Sequence, residues 1–176
     1  MKKLMTLILF VLCAVALSAQ ELPQHWNSLK YFEGSWTGEE SGKAGIGKGE
    51  RVYEFIFSNK YLYCENTSKF EPQEKYPKGE VHQDRKYFSY DSFRKLHVLR
   101  EFHIEGFVNQ YYFDSGTSSD SILVFMSEAI ENVPPGFRAR ITYNLLNGNK
   151  FEESFELAPH GKDFSLYLKN IWTKIE

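Results

Sequence analysis

Cysteine is almost missing from this chain, which has only Cys13 and Cys64. Cys13 falls inside an N-terminal leader, so Cys64 is left without an internal partner. A disulfide framework and a paired-cysteine zinc site are both excluded, and stability must come from packing. A basic excess is missing too. The 21 Lys and Arg are outnumbered by 23 Asp and Glu, for a formal net charge of −2. That balance excludes the concentrated basic face of a nucleic-acid binder.

Long apolar runs are scarce as well. The one present, from Leu4 to Leu17, falls short of the roughly 20 residues that a membrane helix needs. Lys2-Lys3 precede it and Ser18-Ala19-Gln20 follow it. A basic start, a short apolar core and a small residue before a polar one make a signal peptide of bacterial type, with cleavage expected after Ala19. Val11-Leu12 lack the small residue of a lipoprotein site before Cys13. The expectation is therefore an exported protein, periplasmic or secreted, with residues 20–176 as a single domain and no membrane span after the leader is removed. Export also separates the chain from cytosolic nucleotide cofactors. Cys64, unpaired outside the reducing cytosol, is expected to be buried.

Catalytic signatures are absent. There is no Gly-x-Ser-x-Gly elbow and no His-Glu-x-x-His, and the glycines at 42, 45, 47 and 49 do not open a helix after a strand. Glu101, Glu152, Glu153 and Glu156 read as solvated faces, so the chain is not read as an enzyme. The histidines are His25, His82, His97, His103 and His160. His97 and His103 share strand parity, but six residues separate them by about 20 Å. No metal site is expected.

What the chain has is aromatic side chains, 16% of its residues. Most sit in short runs separated by turn formers, the pattern of an all-β protein. Leu22, Trp26, Leu29 and Phe32 recur at helical spacing and predict a short N-terminal amphipathic helix. Nine or ten strands follow: 35–39, 51–58, 61–66, 81–90, 95–104, 107–114, 121–130, 138–145, 150–157 and 164–174. Gly42 to Gly49 reads as a glycine-rich loop and 67–79 as a polar loop. Asn147-Gly148 is a strong hairpin signal. Connections this short force antiparallel neighbours. Closing so many strands into an up-and-down barrel removes the exposed edges, and a sandwich is the runner-up. Several strands are apolar on both faces, as in Tyr61-Leu62-Tyr63-Cys64 and Ile122 to Met126. The N-terminal helix or a second subunit in a homodimer could cover the outer face.

Gly34-Ser35-Trp36, just after a short helical turn, resembles the Gly-x-Trp signature of lipocalins and other calycins. The longer stretch from Phe32 to Glu40, followed by the glycines up to Gly49, resembles the nitrobindin-type ten-stranded barrels. The resemblance implies a calycin-like barrel in which Trp36 plugs the floor and Gly34 allows the sharp entry into the first strand. It also implies haem as an alternative cofactor, with His103 or His160 as the iron ligand. The final strand contains no histidine, and the chain ends without the helix that a lipocalin would add.

A barrel of this size can enclose a cavity. In the run 95–104 the set Val98, Arg100, Phe102, Ile104 is the more apolar and is assigned inward. Arg100 then becomes an anchor for a carboxylate or phosphate ligand, with Arg138 and Arg140 as weaker candidates. Tyr53, Phe55, Phe113 and Tyr143 are the expected wall. The function that follows is non-enzymatic binding of a small hydrophobic or amphipathic molecule, without a cofactor. The rivals are the haem barrel and a solid barrel that serves as a protein-interaction or structural module.

Overall fold

The computed structural model describes residues 21–43, 45–74 and 76–175. The leader therefore lies outside the described residues. Ten strands run in chain order: β1 (Gly34–Gly42), β2 (Gly47–Ile56), β3 (Tyr61–Phe70), β4 (Glu80–Asp91), β5 (Leu96–His103), β6 (Val108–Phe113), β7 (Ile122–Ile130), β8 (Arg138–Asn147), β9 (Lys150–Ala158) and β10 (Ser165–Lys174). Each pairs antiparallel with the next, and β1 closes on β10. The expected all-β, up-and-down closed barrel is the fold observed. No helix among the described residues is long and apolar enough to cross a membrane.

The N-terminal segment departs from expectation. It forms two 3-10 turns, Gln24–Trp26 and Lys30–Phe32, rather than a continuous helix. Nor does it cover the outer face. Trp26, Leu29 and Phe32 are fully buried and plug one end of the lumen. The Trp26 indole donates to the Asn59 carbonyl at 2.9 Å, and Phe32 packs on Tyr53, Tyr143 and Phe151. Burying each such side chain contributes about 1.5–3 kcal/mol, enough to hold a short segment without a regular helix.

Trp36 sits in the same closed end. Its indole donates to the Phe32 carbonyl at 2.7 Å, and its ring meets Phe151 edge-on at 4.7 Å. Gly34 has φ +118°, a conformation that a side chain rarely adopts.

The glycine-rich stretch is mostly strand. Gly38 of β1 pairs with Gly49 of β2 on one side and with Trp172 of β10 on the other. A Cβ on Gly38 would lie 2.7 Å from the Trp172 ring, and one on Gly49 would strike both that ring and Glu40. The two glycines make the slot in which the indole lies. Gly49→Ala is expected to lower stability by about 1–3 kcal/mol through overpacking, read as a shift of the urea midpoint. An unchanged midpoint would show that the slot is slack. β3 likewise continues to Phe70, so Thr67 to Phe70 belong to a strand and not to the expected loop.

Candidate functional site

Strand parity makes the lumen a stack of layers. At the closed end the inward residues are aromatic and aliphatic: Tyr53, Leu62, Phe88, Leu99, Phe125, Tyr143 and Phe151, on which Trp26, Phe32 and Trp36 close. Above them lies a charged layer. Glu153 on β9 reaches across the lumen to Arg51 on β2, with Oε2 3.0 Å from Nη1, and to Lys86 on β4, with Oε1 3.2 Å from Nζ. Lys86 also meets Glu101 of β5 at 2.6 Å. The four side chains are all under a tenth exposed. Arg51 completes its contacts with Asn66 Oδ1 at 3.0 Å, the Tyr53 hydroxyl at 3.1 Å and the face of Trp172 at 3.8 Å. The Trp172 indole in turn donates to Glu153 at 3.0 Å.

Burial alone would neutralise these groups, since the charged form is the one that loses hydration. Their neighbours reverse that. Desolvation opposes ionisation of Glu153, but Arg51 and Lys86 hold its carboxyl down at about 2. Desolvation likewise opposes the charge on Lys86 and Arg51, yet Glu101 and Glu153 for the first, and Glu153 for the second, keep both well above their ordinary values. The network is a run of paired ions and not a free cation waiting for an anion. Cys64 lies beside it, buried as expected, with its thiol pushed up to about 12 by burial. So high a pKa leaves little thiolate and makes this cysteine chemically inert.

Above the charged layer the barrel is hollow. A cavity of about 420 Å³ opens at the end opposite the N-terminal plug, so the interior is not solid. Its two walls differ. On β1 and β3–β6 the lining is mainly polar, with Glu40, Asn66, Ser68, His82, Asp84, His103 and Asn109 beside the rings of Phe70 and Phe107. Facing them, on and around β7–β10, are Ile130, Val133, Phe137, Ile141, Phe155, Leu157 and Leu168. Much of the polar wall is knitted together. Ser68 donates to Glu40 at 2.5 Å, and Asn66 donates to Ser68 at 3.1 Å and to Asp84 Oδ2 at 2.8 Å. Burial raises the pKa of Glu40, which the Ser68 hydrogen bond only partly opposes. Asp84 Oδ1, Asn109 Oδ1, Asn170 Oδ1 and the Tyr111 hydroxyl are buried without a hydrogen-bond partner. Three of these four are acceptors turned towards the lumen side of the strands.

The seven residues expected to bind ligand do not line this cavity. Tyr53, Phe55, Phe113 and Tyr143 do face inward, but in the packed closed end. Arg100 and Phe102 are corrected to the outer face. Arg100 reaches Ser89 Oγ at 3.2 Å, and Phe102 is exposed, set edge-on to Tyr87. Inward on β5 stand His97, Leu99, Glu101 and His103 instead. The apolar-inward assumption fails here because the upper lumen is polar and its charges are paired across the barrel. Arg140 is also outside, in a two-point ion pair with Glu156 at 2.6 and 2.7 Å, and Arg138 is exposed with its guanidinium on the Lys162 carbonyl at 2.6 Å.

Of the two histidines named for the haem alternative, His103 lines the cavity and His160 does not. His160 lies in the exposed turn after β9, packed at Gly136 and outside the cavity. His103 does line the cavity, but its Nε2 is 3.1 Å from the Asn109 amide and 3.8 Å from Glu101.

No family model matches the chain, and no curated protein sequence matches it. Its fold, however, is shared with solved structures. One is the crystal structure of Rv2717c from M. tuberculosis, with a TM-score of 0.64 at 14% identity, covering 89% of this chain and 100% of that chain. The likeness is one of fold: two ten-stranded-barrel-sized chains superpose over nearly their whole length with few residues in common.

Proposed function

We propose that this chain is an exported, non-enzymatic binding protein of calycin-like type. Its open barrel end holds a small amphipathic molecule. The observation that carries this reading is the uneven cavity wall, mainly polar along β3–β6 apart from Phe70, and mainly apolar along β7–β10 apart from Glu153 and Asn170. A molecule with one hydrogen-bonding edge and one apolar face matches both walls at once, in a cavity of the size typical for small ligands. The Gly34-x-Trp36 entry and the plugged floor support the calycin-like part, and the leader read from residues 1–19 supports export.

The wall chemistry favours a ligand rich in donors over a carboxylate. Arg51 and Lys86 already hold Glu153 and Glu101, so an entering anion would find no unpaired cation and would approach Asp84 and Glu101. An amine, amide or hydroxyl edge would instead satisfy the orphaned acceptors, each of which costs about 1–3 kcal/mol while unmet.

N-phenyl-1-naphthylamine, a neutral aromatic with one N–H donor, is a suitable probe. Its fluorescence is expected to rise on binding to the chain, and Leu157→Trp, which fills the apolar wall, should weaken binding by tenfold or more, about 1.4 kcal/mol. The sulfonated analogue should bind less well than the neutral one. Equal binding to wild type and Leu157→Trp, or a preference for the sulfonate, would overturn the reading.

A further inference from the structure

We infer that His82, Asp84 and His103, at the polar rim of the cavity, form a binding site for a divalent transition-metal ion. Two imidazoles and one carboxylate are the donor set that borderline first-row ions such as Zn²⁺ and Co²⁺ prefer. Each residue offers one ligand atom, and these atoms lie within 4.8 Å of one another. The β4–β5 pairing brings them together. Asp84 is directly opposite His103, and His82 is two residues away on the same inward face.

Two further observations point to a ligand at this place. Asp84 is buried, at 5% exposure, yet its Oδ1 has no partner while Oδ2 is occupied by Asn66. An ionised carboxylate deep in a wall does not leave an oxygen empty without cost. His82 is also already oriented. Its Nδ1 is 2.8 Å from Glu105 Oε1, which leaves Nε2 turned towards Asp84 Oδ2 at 3.4 Å. A carboxylate behind a histidine is the outer-shell arrangement that fixes a metal-binding imidazole. Ligand atoms at zinc bond lengths lie about 3.3 Å apart, so three side chains already within 4.8 Å of one another need only a small closure to share an ion.

Three protein ligands would leave the remaining coordination positions open to the cavity. A second grouping, Glu80, His82 and Glu105, shares His82 and is more exposed. In the arrangement inferred here Glu105 serves His82 from behind and Glu80 takes no part. The inference does not depend on the organic-ligand reading, because the metal alone tests it.

The test is Zn²⁺ titration calorimetry on the purified chain after treatment with chelator, together with the visible absorption of the Co²⁺ form. One ion per chain is expected. His82→Ala and His103→Ala should each lose more affinity than the about 10–100-fold expected for Glu105→Gln as an outer-shell change. Glu80→Gln should bind as wild type does. His103→Gln serves as the second variant in case the alanine chain does not fold, and the Zn²⁺-induced rise in Tm gives an independent readout. No heat and no rise in Tm for wild type would overturn the site. So would Zn²⁺ binding that survives at His103 but is lost in Glu80→Gln.

Discussion

Replacing Glu153 by glutamine is expected to destabilise the folded chain by about 3–5 kcal/mol, because two buried cations lose the anion between them. Glu153 holds Arg51 at 3.0 Å and Lys86 at 3.2 Å, and it accepts the Trp172 indole as well. Lys86 keeps Glu101, but Arg51 keeps only neutral partners. The pH dependence carries the same signature. The folded carboxyl titrates at about 2 against an ordinary 4.5. Its stabilising effect is therefore complete above pH 4.5 and is lost as pH falls towards 2. Glu153→Gln should flatten that acid limb. Urea unfolding of wild type, Glu153→Leu, Arg51→Met and the double variant closes the cycle. The double variant should lose less than the two singles together, with a coupling of about 0.5–3 kcal/mol. Strict additivity would mean that the network does not act as a unit.

The second large effect is expected at the opposite end of the barrel. His97 is buried among Trp26, Tyr90 and Phe113, with His25 beside it, and its Nε2 has no partner. Burial first, and then the neighbouring His25, push its pKa down from 6.5 to about 4, against a hydrogen bond with the His25 backbone. The folded value lies below the unfolded one, so the unfolded chain takes up the proton first and stability falls as pH falls from about 6.5 to about 4. A shift of that size corresponds to about 3 kcal/mol. His97→Phe cannot take up the proton. The stability difference between wild type and His97→Phe should be constant above pH 7 and fall by about 3 kcal/mol by pH 4, while contributions from Glu153 and Asp84 cancel in the subtraction. A difference that does not change with pH would mean that His97 takes up its proton equally readily in the folded and unfolded chain.

Both effects concern inward-facing polar side chains, which is where sequence reading had least to work with. The β5 run shows why. Val98, Arg100, Phe102 and Ile104 form the more apolar alternation, and pattern alone sends them inward; the structure turns His97, Leu99, Glu101 and His103 inward instead. Glu101 can point into the lumen because Lys86 meets it there, a fact that belongs to the pairing of two strands and not to either strand. The stretch Thr67 to Ser68 reads as loop because its residues are polar. It is strand because Gln83 of the paired β4 meets Thr67 and Glu40 of β1 meets Ser68 when the barrel closes. A signal was present in β4, where His82, Asp84 and Lys86 alternate on one face, but alternating charge reads as a solvated face unless its partners are known.

The order of the strands, their number to within one and the antiparallel connections were determined by local features: alternating runs, turn residues and short links that leave no room for a crossover. So were the burial of Cys64 and the presence of an apolar N-terminal cluster, though not its two 3-10 turns. Only the tertiary structure decided which face of β5 looks inward, that the aromatic candidates fill a floor while the upper half stays hollow, and that His82 and His103 stand side by side. The physical reason is the range of the interactions. A turn or an alternation is fixed by residues a few positions apart, whereas Glu153 becomes tolerable in the interior only because Arg51, 102 positions away, arrives at hydrogen-bonding distance when the barrel closes.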